Sequence, residues 1–168
     1  MLINIKKIVG VLLSVAVLAG CTKTKGFGPK STNQPAIPVT VTNAVDYRPE
    51  PTVTTSLSGT GAIQIILSIP ASSGRTLKEV TKIALSTSYA AIQSTGASGF
   101  YNTAPIPATG TTFTFNSSFT EYFANKPQTS TNPAPKKDTE LTNRFYFLLT
   151  LDDGTIIVTE PVRVLVLS

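Results

Sequence analysis

From residue 37 onward, apolar and polar positions alternate with a period of two in one segment after another, the pattern of half-buried strands. Ala62–Ile69 (AIQIILSI) carries it most plainly. Ile63, Ile65, Leu67 and Ile69 fall on one side, Gln64, Ile66 and Ser68 on the other, and Pro70 with Ser72-Ser73-Gly74 closes the run as a turn. Ile37–Asn43 repeats the alternation through Ile37, Val39 and Val41, and Pro38, which has no amide to donate, marks it as an edge strand. Tyr47–Pro51 is turn-rich, and Val53–Leu57 predicts a short strand. Thr111–Asn116 predicts another, with Phe113 and Phe115 inward. Near the C-terminus, Arg144–Leu151 (RFYFLLTL) and Thr155–Leu167 flank Asp152-Asp153-Gly154. Glycine accepts the positive φ that a tight turn needs, so these segments predict a hairpin. Phe145, Phe147, Leu149 and Leu151 form one face of its first strand; Tyr146, Leu148 and Thr150 form the other. The return strand is apolar on both faces near its end, which suits a central place in a sheet. Pro161 predicts a bulge or an unpaired edge within it.

Two segments carry helical signals. Thr76–Ser88 (TLKEVTKIALSTS) combines a capping-box pair, Thr76 and Glu79, with β-branched residues that resist helix, and predicts a helical turn followed by a strand from about Thr81. Ser118 and Glu121 repeat the capping box and predict a short helix over Phe119–Asn125 that crosses between sheets. Gly96–Pro107 is loop-rich. Lys126–Glu140 holds 15 residues, three of them Pro and three Lys, with no large apolar side chain; it predicts a mobile arm, with a partner-binding loop as the alternative. Together, about seven short strands and one crossover helix over residues 37–168 predict an all-β domain, an immunoglobulin-like β-sandwich. With no Trp and a single Cys, it lacks the Cys–Trp–Cys core of antibody domains. The closing residues FYFLLTLDDGTIIVTEPVRVLV are similar to the last hairpin of small immunoglobulin-like lipoproteins, a resemblance that implies a fold and no activity.

The first 36 residues follow other rules. Lys6-Lys7 precede an apolar run, Ile8–Ala19, of 12 residues. As a helix it would span about 18 Å, short of the roughly 30 Å hydrocarbon core, so it predicts an export-signal core rather than a permanent span. The run ends in Leu18-Ala19-Gly20-Cys21, which resembles the bacterial lipobox. That resemblance implies a diacylglycerol on the Cys21 sulfur, cleavage between Gly20 and Cys21, and a lipid anchor in place of any other cofactor. The small Ala19 and Gly20 leave the backbone accessible to a peptidase, and only a thiol supplies the thioether nucleophile. Residues 1–20 then form the signal peptide. Thr22–Ala36 (TKTKGFGPKSTNQPA), poor in apolar side chains, forms a tether that reaches roughly 50 Å when extended. Thr22 stands where lipoprotein sorting reads an Asp for inner-membrane retention, and Lys23 and Lys25 stand where some envelopes read an acidic surface tag. By that resemblance the chain is an outer-membrane passenger facing the periplasm rather than the surface.

Composition narrows the chemistry. Charged residues make up 14% of the chain, and its net charge of +5 falls to +3 once Lys6 and Lys7 leave with the signal. The remaining Lys concentrate in the tether and the 126–140 loop, without a groove-reading or base-stacking motif, so nucleic acid is not an expected partner. There is no His, which removes His triads and His zinc sites, and lipidation of Cys21 removes thiol chemistry. Carboxylates remain: Asp46, Glu50, Glu79, Glu121, Asp138, Glu140, Asp152, Asp153 and Glu160. Most fall in predicted turns or caps, and Asp152-Asp153-Gly154 suits a hairpin turn better than a Ca²⁺ loop. Phe100-Tyr101 after Gly99 could present an aromatic platform to a glycan or peptide, or anchor a loop to the core. The expected function is therefore a non-catalytic interaction or structural module of the cell envelope. The alternatives are a glycan- or peptide-binding lipoprotein, or an adhesive surface one.

Overall fold

The computed structural model describes residues 35–96 and 99–167. The expected signal peptide, the Gly20–Cys21 cleavage point, the lipid site at Cys21 and tether residues 22–34 lie outside the described residues. Ala36–Ser168 is one compact unit.

Ala62–Ser68 (β3) forms where the alternation is cleanest, and its inward Ile63, Ile65 and Leu67 are almost fully buried. It is the middle strand of a three-stranded sheet between Thr40–Val41 (β1) and Thr112–Ser118 (β6), antiparallel to both. Ile69 N donates to Thr111 O (2.9 Å) and Phe119 N to Gly61 O (3.2 Å), extending the β3–β6 ladder at both ends. β1 is the edge strand that Pro38 marked, shorter than the alternation suggested, with Val41 in the core and Ile37 and Val39 half-buried against it.

A four-stranded sheet has the order Ile106–Pro107 (β5), Leu77–Ser86 (β4), Arg144–Leu151 (β8) and Ile156–Val158 (β9). Phe145, Phe147, Leu149 and Leu151 of β8 are fully buried. Burial of each such side chain contributes roughly 1.5–3 kcal/mol. Phe115 of β6 meets Phe145 and Phe147 of β8, with ring centroids 5.4 and 5.6 Å apart, so the two sheets share one core.

β4 corrects the expectation of a helical turn at Thr76–Val80: the segment is strand from Leu77 onward, paired with β8 from its first residue. Bulges between Leu77 and Glu79 and between Val80 and Lys82 each insert one residue opposite the regular β8 ladder. The buried positions thus become Leu77, Val80 and Ile83, three apart, which imitates a helical face. On the outer face of β4–β8, Ala84 and Tyr146 form a second small core with Ile92 of a one-turn helix, Ala90–Gln93 (α1), which the hydrophobic pattern did not predict.

The return strand of the C-terminal hairpin splits at Pro161. β9 stays with β8, while Arg163–Leu167 (β10) moves to a third sheet between Thr52–Ser56 (β2) and Thr139–Glu140 (β7). β10 runs parallel to β2 and antiparallel to β7. The expected interruption and central position both hold. Asp152 and Asp153 at the hairpin tip pair with Arg75, Asp153 Oδ2 lying 2.8 Å from its Nη2.

Phe119–Asn125 (α2) has the expected bounds, and Ser118 Oγ accepts from Glu121 N at 3.3 Å. Gly61, at φ +59°, lies directly beneath the Phe119 ring. Buried Tyr122 accepts the Asn143 N–H at 2.8 Å through its hydroxyl, tying the helix to the start of β8. The segment after α2 differs from the expected mobile arm. Asn132 is buried, its Nδ2 donating to Lys126 O (2.8 Å) and Pro127 O (3.2 Å), and β7 with Glu140 docks on β10 and Arg163. Polar bonds, invisible to a hydrophobic count, hold this loop.

Candidate functional site

Residues 99–108 run along the free side of β4. Tyr101 N donates to Ile83 O (2.6 Å), Ala108 N donates to Lys78 O (2.9 Å), and β5 pairs with Glu79 and Val80. Asn102 clamps the segment: Ile83 N donates to its Oδ1 (2.6 Å), and its Nδ2 donates to Thr81 O (3.1 Å) and Ala104 O (2.8 Å). A chain extended along a strand sends successive side chains to opposite faces. Tyr101 therefore turns into the core, its ring 5.3 Å from that of Phe115, while Phe100 lies outside against the Tyr146 cluster.

Of the two alternatives for this pair, Tyr101 follows the one that anchors the loop to the core, while Phe100 stays on the outer face. The Tyr101 hydroxyl bridges to Ser117 Oγ of β6 and lies 3.4 Å from Glu121 Oε2. Burial pushes the phenol up to about 12, with Glu121 adding to the rise and the Ser117 bond opposing it. Phe100 keeps an accessible face, and Lys82 Nζ, which donates to Ser94 O at 2.7 Å, stands 4.5 Å from its ring centroid. Beside it opens a cleft of about 230 Å³ lined by Thr81, Lys82, Thr95, Phe100, Asn102 and Pro105. It offers one aromatic face, one ammonium, and hydroxyl and amide groups, the equipment for holding a polar, uncharged or anionic ligand by stacking and hydrogen bonds. A second cleft of about 400 Å³ lies among Thr87, Lys126, Thr129, Asn132, Thr142 and Asn143. It was not legible in advance, because its walls (Thr87, the 126–132 loop and Thr142-Asn143) are far apart in sequence, and Asn143 is bonded to Tyr122 and Asn132 across that gap.

The carboxylates are distributed over the fold, each with its own neighbours. Asp46 accepts from the backbone N–H groups of Arg48 (3.1 Å) and Tyr47 (2.7 Å), which hold its pKa below the ordinary value. The Thr155 N–H does the same for Asp153 at 2.9 Å. Glu50 Oε2 lies 3.0 Å from Arg144 Nε, an ion pair without hydrogen-bond alignment, and Glu140 takes a two-pronged pair from Arg163. Among the described residues no group of three or more Asp, Glu, Cys or His residues gathers around a metal-sized point, and no helix is long and apolar enough to cross a membrane. No protein-family model, curated protein or solved structure matches the chain.

Proposed function

We propose that this chain is a bacterial envelope lipoprotein, anchored by a diacylglycerol and acyl chain on Cys21, whose residues 37–168 act as a non-catalytic interaction module. The observation that carries it is Leu18-Ala19-Gly20-Cys21 at the end of a 12-residue apolar run begun by Lys6-Lys7. One acyl chain anchors weakly and two hold firmly, so lipidated Cys21 suffices as the membrane attachment. The domain reads as an immunoglobulin-like sandwich. The order β1-β3-β6 facing β5-β4-β8-β9 across one core, with a parallel β2–β10 pair beside them, supports it. By its sorting residues the protein sits on the outer membrane with its domain toward the periplasm, where envelope proteins are its partners.

Labelling cells with an alkyne fatty acid tests the anchor. The wild-type chain takes up the label and shortens by the signal peptide, whereas Cys21→Ser stays unlabelled and uncleaved. A labelled Cys21→Ser chain would sink the proposal. Protease treatment of intact cells tests the address: the domain is expected to survive until the outer membrane is opened. Degradation before that point would favour the second reading, a surface lipoprotein that holds a glycan or peptide, for which the Phe100–Lys82 cleft is the specific support.

A further inference from the structure

Open strand edges invite other strands, and folded proteins blunt them with Pro, charge, bulges or brevity. This fold does so at nearly every edge. β1 has two residues and follows Pro38; β5 has two, one of them Pro107, and follows Pro105. β7 has two residues beside Lys136 and Lys137, and β9 has three, ahead of Glu160 and Pro161. The outer side of β2 is covered at its start by Asp46, bridged to Thr52, and Thr55 Oγ1 donates across to Ala62 O at 2.7 Å.

β6 is the exception. It spans seven residues at the edge of its sheet, without Pro, charge or bulge, and no described strand pairs with its far side. The direction of its free groups follows from the ladder. Thr111 O bonds Ile69 N and Phe119 N bonds Gly61 O, so in the alternating antiparallel pattern the odd positions bond β3. Thr112, Thr114 and Asn116 then turn both N–H and C=O away from it, and these three residues are also the exposed ones.

We propose that this edge pairs with the β6 edge of a second copy of the chain, antiparallel about a two-fold axis at Thr114. That register sets Thr114 opposite Thr114 and Thr112 opposite Asn116 of the other copy. It uses every outward backbone group of the three residues and places Phe113 beside Phe115 on the core side. The two-fold register and the charge compatibility of the edge with itself select this occupant: Thr111–Thr120 contains no ionisable residue, so self-pairing brings no like charges together, while the flanks of β2, β5, β7 and β9 carry the Pro and charges that exclude such pairing there. The two three-stranded sheets would merge into one of six, leaving the Phe100 cleft outside the contact. The pairing does not depend on the lipid anchor.

Sedimentation velocity of the full chain in density-matched detergent tests it, with hydrogen exchange on the same samples. Wild type is expected to gain the mass of two chains as concentration rises, with slowed exchange at the amides of Thr112, Thr114 and Asn116. Thr114→Lys sets two ammonium groups face to face at the axis and should raise the dissociation constant by at least about tenfold. Gln128→Lys, which adds the same charge on the exposed loop, should leave it unchanged. Because Thr114 is exposed, circular dichroism is expected to show an unaltered fold in Thr114→Lys. A second variant, Thr114→Pro, which removes the central donor, should also be monomeric. A wild-type chain with the mass of one chain at every concentration overturns the proposal, as does a dimer indifferent to Thr114→Lys. Protection of the same amides by a segment of this chain or by another protein would equally replace the second copy as occupant.

Discussion

Gly61→Ala joins two costs at one position, and a neighbouring glycine separates them. Gly61 has φ +59°, where an L-residue is strained by roughly 1–2 kcal/mol. An added Cβ would also meet the Phe119 ring at 2.0 Å from Cδ2 and 2.5 Å from Cγ. The obstruction is the root of the ring as well as its rim, so a small rotation of the side chain does not relieve it. Phe119 opens α2 and its N–H bonds Gly61 O, so the ring can move only by disturbing the helix start. Overpacking of this kind costs roughly 1–3 kcal/mol, and the two terms together come to about 2–5 kcal/mol. Gly59 has φ +67° with nothing within 4 Å of the point where a methyl would sit, so Gly59→Ala carries the backbone strain alone. Some of that strain is offset by about 0.4–1 kcal/mol from a less disordered unfolded chain. Urea unfolding followed by circular dichroism, with equal m values, should place Gly61→Ala about 1–3 kcal/mol below Gly59→Ala. In a Phe119→Ala background the extra penalty should vanish, a coupling that the double-mutant cycle reads directly. If the two glycine variants cost the same, or the penalty persists without the ring, the steric account is wrong.

Tyr122→Phe removes the hydroxyl that accepts the Asn143 N–H and leaves that donor without its partner; a loss of about 1–3 kcal/mol is expected in the same unfolding assay. The phenol of Tyr101 titrates near 10 when unfolded and at about 12 when folded. The folded state thus keeps a proton that the unfolded state gives up, so stability is intact below pH 10 and falls as pH rises from 10 to about 12. Burial raises Tyr89 and Tyr122 in the same direction, so Tyr101→Phe should lessen the fall of the thermal midpoint across that window without abolishing it, and an unchanged slope would assign the alkaline loss to those other groups.

Much of this architecture is legible without coordinates, for local reasons. β3 and β8 show their period of two because each has one face in the core, and α2 shows itself through a capping box that spans only four residues of sequence. What escapes is non-local. Two bulges in β4 convert a strand's spacing into a helix-like one, and nothing in Leu77–Ser86 marks them; they are set by where β8 lies. The 126–138 loop looks unfoldable because its bonds are made by Asn132 and main-chain carbonyls, not by apolar area. Phe100 and Tyr101 look like a pair because they are adjacent, yet adjacency on an extended chain is what separates them. The exposed edge of β6 is invisible for the same reason as the bulges, since an edge is a missing neighbour. The reading of residues 1–36 rests on a pattern of another kind, a short linear motif that resembles an export code.

The parallel pairing of β2 with β10 has a mechanical meaning. Tension applied between the chain before β2 and the chain after β10 pulls these strands in opposite directions along their common axis. The five facing pairs from Thr52–Arg163 to Ser56–Leu167 then bear the load together, in shear. An antiparallel hairpin loaded at its open end would instead give way bond by bond, like a zipper. A pull applied at these two strand ends must rupture the whole patch at once before either strand can leave the core, so the domain resists there as a clamp.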